Sequence, residues 1–229
     1  MKLSSALLAS ALLAVSASAA MADTIGSYAG ATAPAGSGYI NSPIVYTGMS
    51  TTLPASGITA PTASAGTVYS LPTAGIWYGP VGSSSWVGIN PQDYPGGSNV
   101  EPNGEYFTYY TTFSSVGPAE LSLDVLADDT TWVYLNGALV VTPTNLNGAQ
   151  HCIAGRPTCT YQDLVEIAGV TSGTNYLTFS TEQRNASASG FDFEATTSAV
   201  TPEPSSLMLL GSGLSTMAGF AFRRRRVQA

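Results

Sequence analysis

Leu121-Ser122-Leu123-Asp124-Val125-Leu126-Ala127-Asp128-Asp129-Thr130-Thr131-Trp132-Val133-Tyr134-Leu135-Asn136-Gly137-Ala138-Leu139-Val140-Val141 is the stretch that decides the fold. Leu121, Leu123, Val125 and Ala127 fall on alternate positions, with Ser122 and Asp124 between them. A period of two puts the apolar set on one face, as in a half-buried antiparallel strand. Asp128-Asp129-Thr130 then reads as a turn. Thr131–Leu135 follows as a strand rich in β-branched and aromatic residues. Asn136-Gly137 is a strong hairpin signal, because both central residues of a type I′ turn take positive φ. Ala138–Val141 returns, and Pro143 stops it.

The same grammar extends both ways. Upstream, Trp77, Tyr78, Trp86 and Tyr94 precede the dense run Tyr106–Phe113. Pro91, Pro95-Gly96-Gly97 and Pro102-Asn103-Gly104 mark loops between them. Downstream, Asp163–Ile167, Asn175–Ser180 and Gly190–Thr196 have strand character, punctuated by Gly169 and Gly173-Thr174. At least seven short strands and no convincing helix between residues 76 and 197 predict an all-β, antiparallel β-sandwich, jelly-roll-like in its strand spacing. A core of about 120 residues is large enough to be stable alone.

The run Leu123–Gly137 resembles the core hairpin of galactose-binding-like jelly rolls. Tyr109–Phe113, Gly173-Thr174-Asn175-Tyr176-Leu177 and Gly190-Phe191-Asp192-Phe193 fit the same resemblance, which covers roughly residues 76–197. It implies the fold, and a fold that often serves carbohydrate recognition or adhesion. Fold is not function, and no sugar-binding triad of that family maps onto these residues.

Charged residues make up only 9% of the 229, against about 25% in an ordinary soluble protein. The basic residues are Lys2, Arg156, Arg184, Arg223, Arg224, Arg225 and Arg226, so the middle of the chain keeps two cations against about a dozen carboxylates. Nucleic acid is excluded as a partner, since its phosphates require clustered Lys and Arg.

The two ends carry addresses. Lys2, the apolar run Leu3–Val15 and the small residues up to Ala22 form the three regions of a secretory signal peptide at 1–22, for removal by signal peptidase. Residues 23–75 are rich in Ala, Gly, Ser, Thr and Pro, and bury too little apolar surface to order themselves. They are expected to be an extended segment that adds a strand or two to the domain. At the other end, the uncharged stretch 205–222 makes a helix of about 27 Å, close to the membrane hydrocarbon thickness of about 30 Å. Arg223, Arg224, Arg225 and Arg226 follow as a cytoplasmic stop, because clustered arginines beside a span stay on the cytoplasmic side.

Pro202-Glu203-Pro204, the transmembrane stretch and the arginine block together resemble the PEP-CTERM sorting signal of Gram-negative bacteria, over 201–226. The resemblance implies recognition by exosortase, cleavage near Pro202-Glu203-Pro204, and hosts linked to exopolysaccharide and biofilm matrix. It places the protein in the inner membrane before processing and on the cell surface or in the matrix afterwards. A plain C-terminal anchor is the simpler alternative.

Candidate chemistry is sparse. Cys152 and Cys159 lie in one loop with His151; in an exported chain the pair reads as a disulfide, and metal binding is the sharper alternative. His151 would have to serve any Ser-His-Asp arrangement, yet no nucleophile elbow is present. Asp124, Asp128 and Asp129 are candidate Ca²⁺ ligands, with plain turn chemistry as the alternative. No other cofactor is implied. Trp77, Trp86 and Trp132 are candidates for stacking on sugar rings, with core packing expected for at least two of them. The sequence therefore predicts a non-enzymatic surface or matrix protein, with a carbohydrate-binding module and a secreted hydrolase as alternatives.

Overall fold

The computed structural model describes residues 23–27, 39–41, 43–73, 77, 79–143, 163–184 and 188–199. Twelve strands occur among them: β1 (Thr24–Gly26), β2 (Tyr39–Ile40), β3 (Val45–Ser50), β4 (Tyr69–Ser70), β5 (Val87–Gly88), β6 (Glu105–Ser115), β7 (Ala119–Asp128), β8 (Thr130–Leu135), β9 (Ala138–Val141), β10 (Asp163–Val170), β11 (Gly173–Gln183) and β12 (Gly190–Ala199). One sheet has the order β10-β7-β12-β5-β4-β2, with β1 also paired to β12. The other has the order β3-β6-β11-β8-β9. Neighbouring strands are antiparallel in both. No α-helix occurs among the described residues.

Alternation in β7 does what the sequence predicts. Leu121, Leu123, Val125 and Ala127 are buried, whereas Ser122 and Asp124 are half-buried. They face Phe191, Phe193 and Ala195 of the same sheet, and the second sheet answers with Phe107, Tyr109, Leu177 and Phe179. Phe179 packs 4.9 Å from Phe191 and 4.4 Å from Phe193 between ring centroids, and Tyr109 lies 4.7 Å from Phe191. Each such fully buried side chain contributes about 1.5–3 kcal/mol of transfer free energy.

Asp128-Asp129-Thr130 is not a hairpin turn. β7 belongs to the first sheet and β8 to the second, so the chain crosses between sheets here. Alternation fails at this end of β7, where Leu126 and Asp128 are as buried as Val125 and Ala127, because loop residues cover the outer face. Asn136-Gly137, by contrast, is the expected tight turn, with φ of 50° and 86°. Asn136 also locks β11: its amide donates to Asn175 Oδ1 at 2.8 Å, and its Oδ1 accepts from the Tyr176 N–H at 2.9 Å.

Residues 23–75 are a larger part of the sandwich than composition suggests. They supply β1 to β4, and Ile44, Tyr46, Val68 and Leu71 are in the core. The sheets thus begin at Thr24 and not near residue 76. Residues 51–65 contain no strand, yet they lie as a strap across the outer face of the second sheet. Tyr134 Oη donates to the Pro54 carbonyl at 2.7 Å, and the Ile58 N–H donates to Thr178 Oγ1 at 2.9 Å. Tyr110 Oη both donates to the Thr62 carbonyl, at 3.0 Å, and accepts from its N–H, at 3.1 Å. The sheet's side chains meet the strap's backbone polar groups, which is how a segment with little apolar area becomes ordered.

The described strands fall in one compact unit, Met1–Ala199. The predicted signal peptide, Pro202-Glu203-Pro204, the apolar stretch 205–222 and the predicted membrane stop of Arg223, Arg224, Arg225 and Arg226 all lie outside the described residues. No helix among the described residues is long and apolar enough to cross a membrane.

Candidate functional site

The strap covers one row of the second sheet's outer face, that of Tyr110, Thr178 and Tyr134. The next two rows lie closer to the β7–β8 crossing. Ser180 on β11 pairs with Thr108 on β6 and Trp132 on β8, and Glu182 pairs with Tyr106 and Thr130. These residues point outward because their neighbours Phe107, Phe179 and Val133 face the core. Trp132 and Tyr106 are partly exposed. Their strands flank β11 and stand about 9–10 Å apart at normal strand spacing, yet the ring centroids are 5.6 Å apart, edge to face at 60°. Both side chains therefore lean over β11 and meet above it. Ser180 and Thr130, on the same face, are fully buried, and neither hydroxyl has a hydrogen-bond partner.

A polar chain runs from this roof to the crossing. Glu182 faces the Tyr106 hydroxyl; burial first, then the Glu182 charge and hydrogen bond, push that phenol above its usual range. Arg184 grips the same carboxylate through Nε at 2.8 Å and Nη2 at 2.6 Å. The Arg184 backbone N–H donates to Asp129 Oδ2. Asp129 returns its own N–H to the Glu182 carbonyl at 3.2 Å. Arg184 is the only Lys or Arg among the described residues.

Asp128 lies across the crossing, on the first sheet. Its Oδ2 accepts from Trp77 Nε1 at 2.6 Å, and Trp77 stacks on Trp86 with centroids 4.2 Å apart. Burial drives the Asp128 pKa up; the Trp77 bond opposes this and the Asp129 charge adds to it. Trp77 and Trp86 are 4% and 0% exposed, the core packing expected for at least two of the three tryptophans, and neither is placed to stack on a sugar. They are core residues that seat Asp128, and Trp132 alone among the three tryptophans reaches the surface.

The calcium reading of Asp124, Asp128 and Asp129 also loses its geometry. Asp124 lies one face-repeat beyond Leu126 on β7, in a groove of the first sheet with Ser122, Glu166, Glu194 and Thr196. There Glu166 accepts from Ser122 Oγ at 2.5 Å, and Glu194 accepts from the Ser83 N–H and Oγ at 2.9 and 3.0 Å. Among the described residues, no three His, Cys, Asp or Glu side chains come together as metal ligands would. His151, Cys152 and Cys159 lie outside the described residues.

Two further buried carboxylates escaped the sequence reading. Asp192 on β12 accepts from Ser27 Oγ at 2.8 Å, the Val81 N–H at 2.9 Å and Ser84 Oγ at 2.5 Å, clamping two remote segments to the first sheet. Burial lifts its pKa to about 6 against those three bonds, with Glu194 adding to the rise. Asp93 is raised chiefly by burial and then by Glu101, and Asn99 Nδ2 donates to both carboxylates. Sequence offered no local signal for either. Tyr106, Glu182 and Arg184 also escaped the sequence reading: the predicted strand stops at Ser180, and only the pairing of β11 with β6 and β8 brings these residues beside Trp132.

No curated protein matches the chain. Among solved structures it is similar to a CBM35 from Paenibacillus barcinonensis, at 12% identity, over 77% of this chain and 98% of that chain, with a TM-score of 0.35. Residues 200–226, which take in Pro202-Glu203-Pro204 and all four arginines from Arg223 to Arg226, match the PEP-CTERM protein-sorting motif, so this is a chain marked for export and for sorting to the cell surface.

Proposed function

We propose that this chain is a non-enzymatic surface or matrix protein whose sandwich holds exopolysaccharide. The partly exposed Tyr106–Trp132 pair carries the proposal. A protein this poor in charge has few means of binding except aromatic stacking and hydroxyl hydrogen bonding, and those are the means by which a neutral polysaccharide is recognised. The sorting motif supplies the delivery. In this scheme signal peptidase acts after Ala22, exosortase acts near Pro202-Glu203-Pro204, and the stretch 205–222 anchors the chain in the inner membrane until then. Arg223, Arg224, Arg225 and Arg226 hold its end on the cytoplasmic side. The jelly-roll reading and the role in biofilm belong to the same proposal.

The test is to fractionate the native host and analyse the recovered protein by mass spectrometry, alongside retention on the host's own exopolysaccharide. The expected result is a mature chain beginning near Asp23, ending near the Pro-Glu-Pro motif, recovered from surface or matrix and retained on the polysaccharide. Recovery of the intact chain from the cytoplasm, or no retention, overturns it.

A further inference from the structure

We infer that Tyr106, Trp132, Ser180, Thr130, Glu182 and Arg184 form one subsite, and that it takes a single neutral pyranose ring of a polysaccharide. The inference rests on the proposed polysaccharide binding and gives it a place. A pyranose has an apolar C–H face and a fringe of hydroxyls that both donate and accept. The site has matching parts: an aromatic roof, a floor of hydroxyls and a polar rim.

The roof comes first. An aromatic pair leaning across a central strand exposes ring surface to one side and covers hydroxyls on the other. The floor is the more telling part. Ser180 Oγ and Thr130 Oγ1 are two of only four buried side-chain polar atoms among the described residues that have no hydrogen-bond partner. A buried hydroxyl left unpaired costs about 1–3 kcal/mol, and a fold meets that cost where something else supplies the partner. Both hydroxyls lie on the same face and in the same two rows as the roof. A tilt of the Trp132 ring about its own torsions uncovers them without disturbing the sheet.

Charge selects the ligand. At the rim, Glu182 and Arg184 are one ion pair, with side chains 14% and 27% exposed. They neutralise each other, and the Arg184 donors not directed at Glu182 point the site toward hydroxyl oxygens. Asp129 stands just behind and Arg184 is already paired with Glu182, so a uronate or sulfated sugar meets repulsion that no free cation among the described residues of the rim offsets. A neutral ring meets none. The strap walls off the row beyond, at Tyr134 and Thr178, which limits the subsite to about one ring.

The test uses the full chain in detergent, run by affinity electrophoresis through neutral galactan, neutral mannan, neutral glucan and polygalacturonate. Wild type is expected to be retarded by at least one neutral polymer and not by polygalacturonate, with a change in tryptophan emission. Trp132→Ala should weaken retention about tenfold, the scale of a lost aromatic contact. Trp132→Phe should recover most of it. Ser180→Ala, whose thermal unfolding is followed in parallel, should weaken it several-fold without lowering the midpoint, because it removes an unpaired buried hydroxyl, and a merely structural role would not do this. Arg184→Ala should also weaken it several-fold, with a lower midpoint because Glu182 loses its partner. Wild-type retention that survives Trp132→Ala, Ser180→Ala and Arg184→Ala alike overturns the subsite and leaves polysaccharide binding standing elsewhere on the domain. Retardation by polygalacturonate alone overturns the assignment of a neutral ring. No retardation by any polymer overturns the binding reading and the subsite with it.

Discussion

Asp192 joins separate stretches of the chain through a single carboxylate. Its carboxylate gathers donors from Ser27, Val81 and Ser84, so β1 and the 81–85 loop are pinned to β12 by one side chain. The cost is desolvation, which raises its pKa to about 6, against about 3.9 in an unfolded chain. The native state therefore keeps this proton to a higher pH than the unfolded state does. Its contribution to stability is complete below about pH 4 and is lost as pH rises through about 6. Asp93 and Asp128 are raised too and tilt stability the same way. Thermal midpoints are expected to fall from pH 4 to pH 7, and Asp192→Asn should fall less steeply over that window. Parallel slopes for variant and wild type would refute the assignment. None of this was legible in the sequence, where Asp192 is one polar residue in an alternating strand. The tryptophans show the same limit. Alternation of Trp132 with Val133 put one of the two outward without deciding which, and the burial of Trp77 and Trp86 depends on partners far away in the chain.

Local elements were legible in proportion to how locally they are determined. The Asn136-Gly137 turn needs only its own two residues, and it is present with both φ values positive. The strap at 51–65 needs the second sheet, and its composition read as too poor to order itself. That reading holds for the segment alone and fails once Tyr110, Tyr134 and Thr178 supply hydrogen bonds. Small residues are what let it lie so close. A Cβ on Gly57 would run into Tyr134 Cβ and Thr178 Oγ1, whereas one on Gly79 meets nothing within 4 Å. Gly57→Ala should cost about 1–3 kcal/mol by overpacking, and Gly79→Ala should be nearly neutral. Chemical denaturation of the two variants decides; equal midpoints would mean the strap is not held against the sheet.

At the scale of the molecule, alternation revealed the principal strands after residue 76 and, for the clearest of them, which face is apolar, but not the four short strands before it. It could not reveal which sheet each strand joins, because inner faces of both sheets carry the same pattern. Hence the crossing at Asp128-Asp129 looked like a turn, and the core residues before residue 76 looked like part of an extended segment adding only a strand or two. The misplaced boundary has a measurable consequence. Without Ile44, Tyr46, Val68 and Leu71, the sandwich loses several large core side chains, each worth about 2–5 kcal/mol. For four residues that is comparable to the total stability of about 5–15 kcal/mol expected of a domain. A fragment of residues 76–199 should show no cooperative thermal transition, and one of 23–199 should show a single one. A sharp transition in the shorter fragment would mean that the first strands only decorate a domain that is stable without them.

The chain enters and leaves the sandwich at one pole. The Asp23 N–H meets Thr197 Oγ1 at 3.2 Å, and Thr24 pairs with Thr196. From there β12 runs back along β7 to Gly190 opposite Asp128, at the pole of Trp132 and Arg184. A polymer held at Trp132 and a chain held at Ala199 therefore pull from opposite ends. Traction between them runs lengthwise down β12 and loads its hydrogen bonds to β7 together in shear, in place of peeling them apart one after another. Under the proposed binding, with the C-terminal end attached, the long central strand would also be the tensile member between grip and tether.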